Sequence, residues 1–253
     1  VSPQAPAYSP SSIVNAASNE PGPLAPNGIA TIYGKDLAFI TRSLQPTDVR
    51  DGRLPTALTG AGVRVLIANI PAFLYFVSPG QVNFLVPGNL RPGSYELQLT
   101  LEGRAGPLVP VEVAPSSPAL FVRENRLAIA TRPDGSLVDK GHPALPGEVV
   151  ILHATGLGAT RPAIRAGELA REPAELERMD DFEVTLNDIP LPRANLLYAG
   201  LAPGFAGLYQ INCMLPPSLP ADPEIRVKAG QLRSPERIVL PVATQPPAAA
   251  SDR

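Results

Sequence analysis

One pattern occurs twice in this chain and constrains its fold more than any other feature. From Tyr75 to Pro87 the sequence reads Tyr-Phe-Val-Ser-Pro-Gly-Gln-Val-Asn-Phe-Leu-Val-Pro, and a longer version from Tyr198 to Pro216 ends in Tyr-Gln-Ile-Asn-Cys-Met-Leu-Pro. In both copies Val82, Phe84 and Val86, or Ile211, Cys213 and Leu215, alternate onto one face of a strand that a proline ends. The match extends upstream. Ala25-Pro26-Asn27-Gly28 resembles Leu145-Pro146-Gly147-Glu148, and Val63 to Pro71 faces Phe182 to Pro190. Pairing Gly28 with Gly147 sets an offset of 147 − 28 = 119, which Ile70-Pro71 and Ile189-Pro190 share. At the Gln-x-Asn strand the offset is 210 − 81 = 129, so the second copy is longer by about ten residues, assigned mostly to Gly200 to Tyr209. The chain therefore reads as an internal duplication.

Each half of a 253-residue chain is large enough to bury its own core. With 32 prolines and 21 glycines in a sequence that is 44% hydrophobic, the halves read as many short strands separated by turns. The fold class expected is all-β, two tandem sandwiches with one short helix at most, over Pro173 to Met179, where Glu175 and Arg178 are three apart. The expected organisation is a flexible arm over 1–12, a first domain over 13–115, a bridging hairpin over 116–141, a second domain over 142–242 and a tail over 243–253. The bridge is read as having no copy in the first half.

The formal net charge of −2 gives no basic stripe, so nucleic acid is not expected as a partner. Val65 to Val86 lacks charge and is long enough to span a bilayer. Asn69, Pro71 and Ser78-Pro79-Gly80 interrupt it, so no membrane-spanning segment is expected. The single cysteine, Cys213, excludes an intrachain disulfide and alternates inward, as a buried structural thiol would. Gly156-Leu157-Gly158 lacks the third glycine of a dinucleotide loop, and neither a Gly-x-Ser-x-Gly elbow nor a Walker loop occurs. His142 and His153 stand without a cysteine pair, and Asp180, Asp181 and Glu183 lack a calcium-loop glycine. No catalytic residue, cofactor or metal is expected.

Asn15-Ala16-Ala17-Ser18, the strand Ser78-Pro79-Gly80-Gln81-Val82-Asn83-Phe84, Ala154-Thr155-Gly156-Leu157-Gly158, and Tyr198 to Phe205 with Leu208 to Asn212 carry a resemblance. From Ile13 to Val242 the chain resembles the uncharacterised C-terminal domain family of secreted acidobacterial (Solibacter-type) proteins. It departs from that pattern at His142 and His153, where asparagine and tyrosine are expected. The resemblance implies bacterial export to the surface or medium and immunoglobulin-like sandwiches; it implies no activity.

The functional expectation is a non-enzymatic extracellular structural or adhesive protein, as a self-assembling filament subunit. The alternative is a carbohydrate or small-ligand binding module. Leu201, Phe205, Leu208 and Tyr209 form the candidate interaction loop, because large apolar residues in a loop should pack on something. Pro6, Tyr8 and Pro10 mark a candidate intersubunit arm for a homo-oligomer or homopolymer, and glycans are the other candidate partner. Gln81, Asn83, Gln210 and Asn212 are expected to be structural, their amides bonded to neighbouring backbone.

Overall fold

The computed structural model describes residues 4–243. The turn residues divide the chain into short strands, and within each strand apolar side chains at every second position turn inward. Val63, Val65 and Ile67 are fully buried while Arg64 is exposed. In the first domain Ile13–Asn15, Ile29–Tyr33, Gln81–Leu85, Phe73–Val77 and Arg42–Ser43 lie side by side in that order. The facing sheet runs Val109–Val113, Gly93–Leu101, Val63–Ile67 and Ile70–Pro71, with Arg104–Ala105 also on Gly93–Leu101. Ile32, Val65, Phe84, Leu97 and Leu99 close the core between them.

The second domain repeats this plan with a wider sheet. It runs Leu137–Val138, Ala130–Thr131, Val149–Thr155, Tyr209–Met214, Leu196–Leu201, Ala174–Leu176 and Thr160–Arg161, while Ala119–Leu120 also pairs with Val149–Thr155. Ile189–Pro190, Phe182–Leu186, Ile225–Ala229 and Leu232–Arg233 form the other layer. All of these pairings are antiparallel, as expected for an all-β sandwich.

The two halves share a strand register. Gln81 faces Tyr33 and Asn83 faces Thr31, as Gln210 faces His153 and Asn212 faces Ile151. The next strand pair breaks register at the same place in both copies, around Tyr75 and around Leu197. This register places Ile29 with Val149, 149 − 29 = 120 apart, so the offset of 119 is one too small at that strand. The physical reason is that a conformation recurs there rather than a glycine. Asn27 (φ 56°) and Gly147 (φ 84°) both take the left-handed turn position, which asparagine tolerates better than most side chains. The extra residues also divide. Leu74 matches Leu196, 196 − 74 = 122 apart, so part of the insertion precedes that strand at the Arg193–Asn195 turn and the rest lies in the hairpin after Leu201.

Three expectations are corrected. The bridge has a counterpart: Ala130 beside Leu152 matches Ile13 beside Ile32, and Ala119 beside Thr155 matches Ala7 beside Lys35. Residues 116–141 thus open the second domain. By the same equivalence the 1–12 segment, where described, belongs to the first domain, with Ala7 and Lys35 exchanging two backbone hydrogen bonds of 2.9 Å. Lastly, Pro173 to Met179 holds the strand Ala174–Leu176, not a helix. Ala174 and Leu176 are buried with Glu175 exposed between them, a period of two, and so short a segment has little to offset the cost of helix nucleation. Of the 243–253 tail, Ala243 donates its N–H to Ala144 O; the remainder lies outside the described residues.

Candidate functional site

The first domain leaves one patch of sheet facing away from its core. Ile29, Phe73, Tyr75 and Leu85 point there from three adjacent strands, and a sheet normally leaves such a face polar. The second domain covers it with Ala166, Leu169 and Ala206, while the first domain's own Leu44, Val49 and Leu54 complete the cluster. The long segment between Tyr33 and Val63 reaches across here, its residues Gly52, Arg53 and Leu54 lying on the second domain.

Hydrogen bonds fix this contact. Leu54 N–H donates to Gly167 O and Leu169 N–H to Gly52 O, both at 2.8 Å. Arg53 donates from Nε to Ala166 O at 3.1 Å, and its guanidinium lies 5.0 Å from the centroid of the Phe73 ring. Ile29 N–H donates to Thr155 Oγ1 at 2.9 Å, and that hydroxyl donates onward to Gly207 O at 2.8 Å. The Tyr75 hydroxyl donates to Ala206 O, and burial drives its pKa far above the ordinary phenol value. Asn15 Nδ2 reaches Ser117 O at 3.0 Å, beside the crossover between the domains.

The candidate loop therefore works differently from its sequence reading. Leu201 and Tyr209 are buried in the second domain's own core, and the Tyr209 hydroxyl donates to Gly158 O at 2.6 Å. Leu208 is half-buried and Phe205 is 51% exposed, so the four residues do not form one binding surface. Contact with the first domain is made by Ala206 and Gly207. The available signal was the Ala-Gly pair at the loop tip, where small residues permit close approach. Phe205→Ser should change thermal stability by no more than about 0.5 kcal/mol, as ordinary surface substitutions do. Differential scanning calorimetry against the parent chain checks it.

The candidate arm is occupied within its own domain. Pro6 is buried, and the half-buried Tyr8 donates to Pro107 O and accepts Leu99 N–H, each at 2.7 Å. Pro10 starts an exposed turn of 3-10 helix, Pro10–Ser12. These contacts correct the expectation of a free arm, since the groups it was to offer a neighbouring subunit are engaged at home.

The Gln-x-Asn side chains lie on the outward faces of the two large sheets. In the first domain Asn83 Oδ1 accepts from Gln81 Nε2 at 2.8 Å and from Thr31 Oγ1 at 3.1 Å. These are side-chain partners, not the expected backbone. In the second domain Ile151 stands where Thr31 stood, and Asn212 Oδ1 is buried without a hydrogen-bond partner. Tyr198 lies opposite Asn212, with its hydroxyl donating to Leu201 O at 2.8 Å and accepting Ala174 N–H at 3.1 Å. A Cβ on Gly200 would come within 2.6 Å of that hydroxyl, so glycine lets the phenol lie low on the sheet. His153 lies one row on, opposite Gln210, and partial burial lowers its pKa.

Cys213 is buried, and desolvation pushes its thiol up to about 12. Native protein should resist an aromatic disulfide reagent at pH 8 and react with one thiol per chain in denaturant; rapid labelling of native protein would contradict this burial. Among the described residues, no group of three or more His, Cys, Asp or Glu side chains is placed to hold a metal. Asp181 instead pairs with Arg178 at 2.5 Å. No helix among them is long and apolar enough to cross a membrane.

No family model matches this sequence, and no curated protein is significantly similar to it. Among solved structures, the chain is similar to a surface glycan-binding protein of Bacteroides ovatus solved with a mixed-linkage heptasaccharide, at 10% identity and a TM-score of 0.36, over 88% of this chain and 44% of that one. A surface glycan-binding protein of Prevotella bryantii aligns at 14% identity and a TM-score of 0.27, over 89% of this chain and 41% of that one. Domains 5–6 of the S-layer protein SbsC align at 12% identity and a TM-score of 0.29, over 95% of this chain and all of that one. The chain spans less than half the length of both glycan-binding proteins. These likenesses are too distant in sequence and superposition to carry a ligand across.

Proposed function

We propose that this chain is a non-enzymatic structural module of a secreted or surface-attached bacterial protein, in which two immunoglobulin-like sandwiches act as one rigid spacer. The observation that carries the reading is the junction. Three main-chain groups of the first domain, the N–H of Ile29, the C=O of Gly52 and the N–H of Leu54, enter hydrogen bonds across it, and the side chains of Asn15, Arg53 and Tyr75 are committed to it as well. Linked domains whose only task was to sit near one another would need none of these bonds, and relative motion is the usual state of small polar interdomain contacts. Export rests on the family resemblance.

Small-angle X-ray scattering and calorimetry of the intact chain test the proposal. A rigid spacer gives a scattering curve fitted by one conformer and a single cooperative unfolding transition. A broad distribution of interdomain distances, with two transitions for the unaltered chain, would refute it.

A second reading, binding of a carbohydrate, is favoured by one specific observation, the unpartnered Asn212 Oδ1 beside Tyr198 and Gln210 on the outward face of the second domain. A buried acceptor without a partner is costly, and a sugar hydroxyl that entered beside the Tyr198 phenol would satisfy it. A glycan array probed with the parent and with Asn212→Ala separates the readings: retention that the substitution removes supports carbohydrate binding, and none in the parent leaves the structural reading alone.

A further inference from the structure

The duplication allows the covered patch of the first domain to be compared, position by position, with the corresponding patch of the second. Leu85, 1% exposed under the second domain, corresponds to Met214, 39% exposed. Tyr75, which donates across the junction, corresponds to Leu197 at the same register break, 50% exposed. Buried Ala25 corresponds to Leu145, 47% exposed, and Ile29 to Val149, the strand partner of Met214. A Cβ on Gly207 would lie 2.8 Å from Asn27 O across the junction, whereas Gly147, which stands where Asn27 does, has nothing within 4 Å of the place its Cβ would take. The second domain thus presents, uncovered, a version of the face that the first domain uses to hold a neighbour, with Leu145, Val149, Leu197 and Met214 on it and Asn195 at the position of Phe73.

The route of the chain agrees. Where it leaves the first domain, Ala114 N–H donates to Leu24 O at 2.8 Å, and the next strand begins at Ala119 on the far side of the junction. Where it leaves the second domain, Ala243 N–H donates to Ala144 O at 2.9 Å in the same arrangement. A domain entered from Ala243 by a crossover like 115–118 would arrive over Val149, Leu197 and Met214.

We infer that this face is a socket for a further sandwich domain of the same kind, one that presents a small-residue loop like Ala206-Gly207. A second copy of the intact chain lacks a free loop of this type. Its first domain has only Ser78-Pro79-Gly80 at that position, and its second domain's loop is already seated at its own junction. The occupant is therefore another loop-bearing domain continuing the same array, and the junction is a repeating one. This rests on the rigid-spacer reading and names its partner.

The test is a chain in which residues 1–243 are followed by a copy of 115–243, compared with the parent and with Leu197→Asp and Met214→Asp introduced together in the internal socket. Both positions are exposed in the parent, so the same substitutions there should leave its unfolding midpoint unchanged. In the extended chain, scattering should show the added domain at a fixed distance, and the double substitution should release it. A parent that is itself flexible would refute the spacer reading. A rigid parent carrying a freely moving third domain, or a docked domain indifferent to both aspartates, would overturn the socket alone. So would dimerisation of the unextended chain that the aspartates abolish, because the socket would then belong to a second copy.

Discussion

Replacing Gly207 with valine is expected to split the unfolding of this chain into two transitions while leaving both sandwiches folded. Gly207 has a φ of 70°, a conformation that branched side chains avoid, and its Cα faces the first domain. A Cβ there would collide with Leu85 Cδ1 and lie 2.8 Å from Asn27 O and 3.1 Å from Ile29 Cγ1. The leucine could turn aside; the Asn27 carbonyl is backbone and could not. Overpacking of this kind costs about 1 to 3 kcal/mol, to which the strained φ adds about 1 kcal/mol. The cost falls on the junction, because every atom in the collision belongs to the first domain while Gly207 belongs to the second. Loss of the Tyr75–Ala206 and Ile29–Thr155 hydrogen bonds across the junction should follow. Calorimetry would show two separated peaks and scattering a flexible pair. A single peak at a lower temperature would mean that the loop is integral to one domain's core and that the junction is not a separate unit.

What the sequence made legible was whatever repeats or alternates. The strand Gln81–Leu85 and its copy could be read because burial imposes a period of two on their apolar residues, and the two domains follow from their recurrence. The junction was not legible for the opposite reason. On the second domain's side its contacts are made by Leu169 and by Ala166, Gly167, Ala206 and Gly207, whose virtue is a side chain of one carbon or none, and much of the rest is backbone that every residue carries. Phe205 stands out in the sequence because it is large and apolar, but a loop tip that must approach another backbone closely selects for the smallest residues and leaves the large one outside. Proline content hides a similar role in the described part of the first segment, residues 4–12. Pro6 is buried and Ala7 needs only one N–H and one C=O to extend the sheet edge, so a segment with little apolar surface is held by a few backbone bonds and one tyrosine. The unpartnered Asn212 could be found by comparing copies, since Ile151 replaces the hydroxyl of Thr31, but only after register had shown which residue faces which.

Tyr8 gives the second large effect and decides between a structural and an intersubunit role for that segment. Gly93–Leu101 pairs with Arg104–Ala105 near its end and with Val109–Val113 further back, and the change of partner leaves Leu99 N–H facing a gap between them. The Tyr8 hydroxyl fills that gap, accepting Leu99 N–H while donating to Pro107 O, and a Cβ on Gly106 would come within 2.6 Å of the ring. Burial raises the phenol's pKa, so it keeps its proton and both bonds through the neutral range. Tyr8→Ala removes the ring from the first domain's core margin and strands Leu99 N–H, for an expected loss of about 3 to 5 kcal/mol, whereas Tyr8→Phe, which keeps the ring, should cost about 1 to 2 kcal/mol. Urea unfolding followed by hydrogen exchange at Leu99 reads both quantities, and exchange there should accelerate in both variants. If Tyr8→Ala left stability and Leu99 protection at parent values while abolishing self-association, the segment would be an intersubunit arm after all; a loss confined to the first domain fixes it as that domain's opening strand, the role Ala119 and Leu120 play in the second.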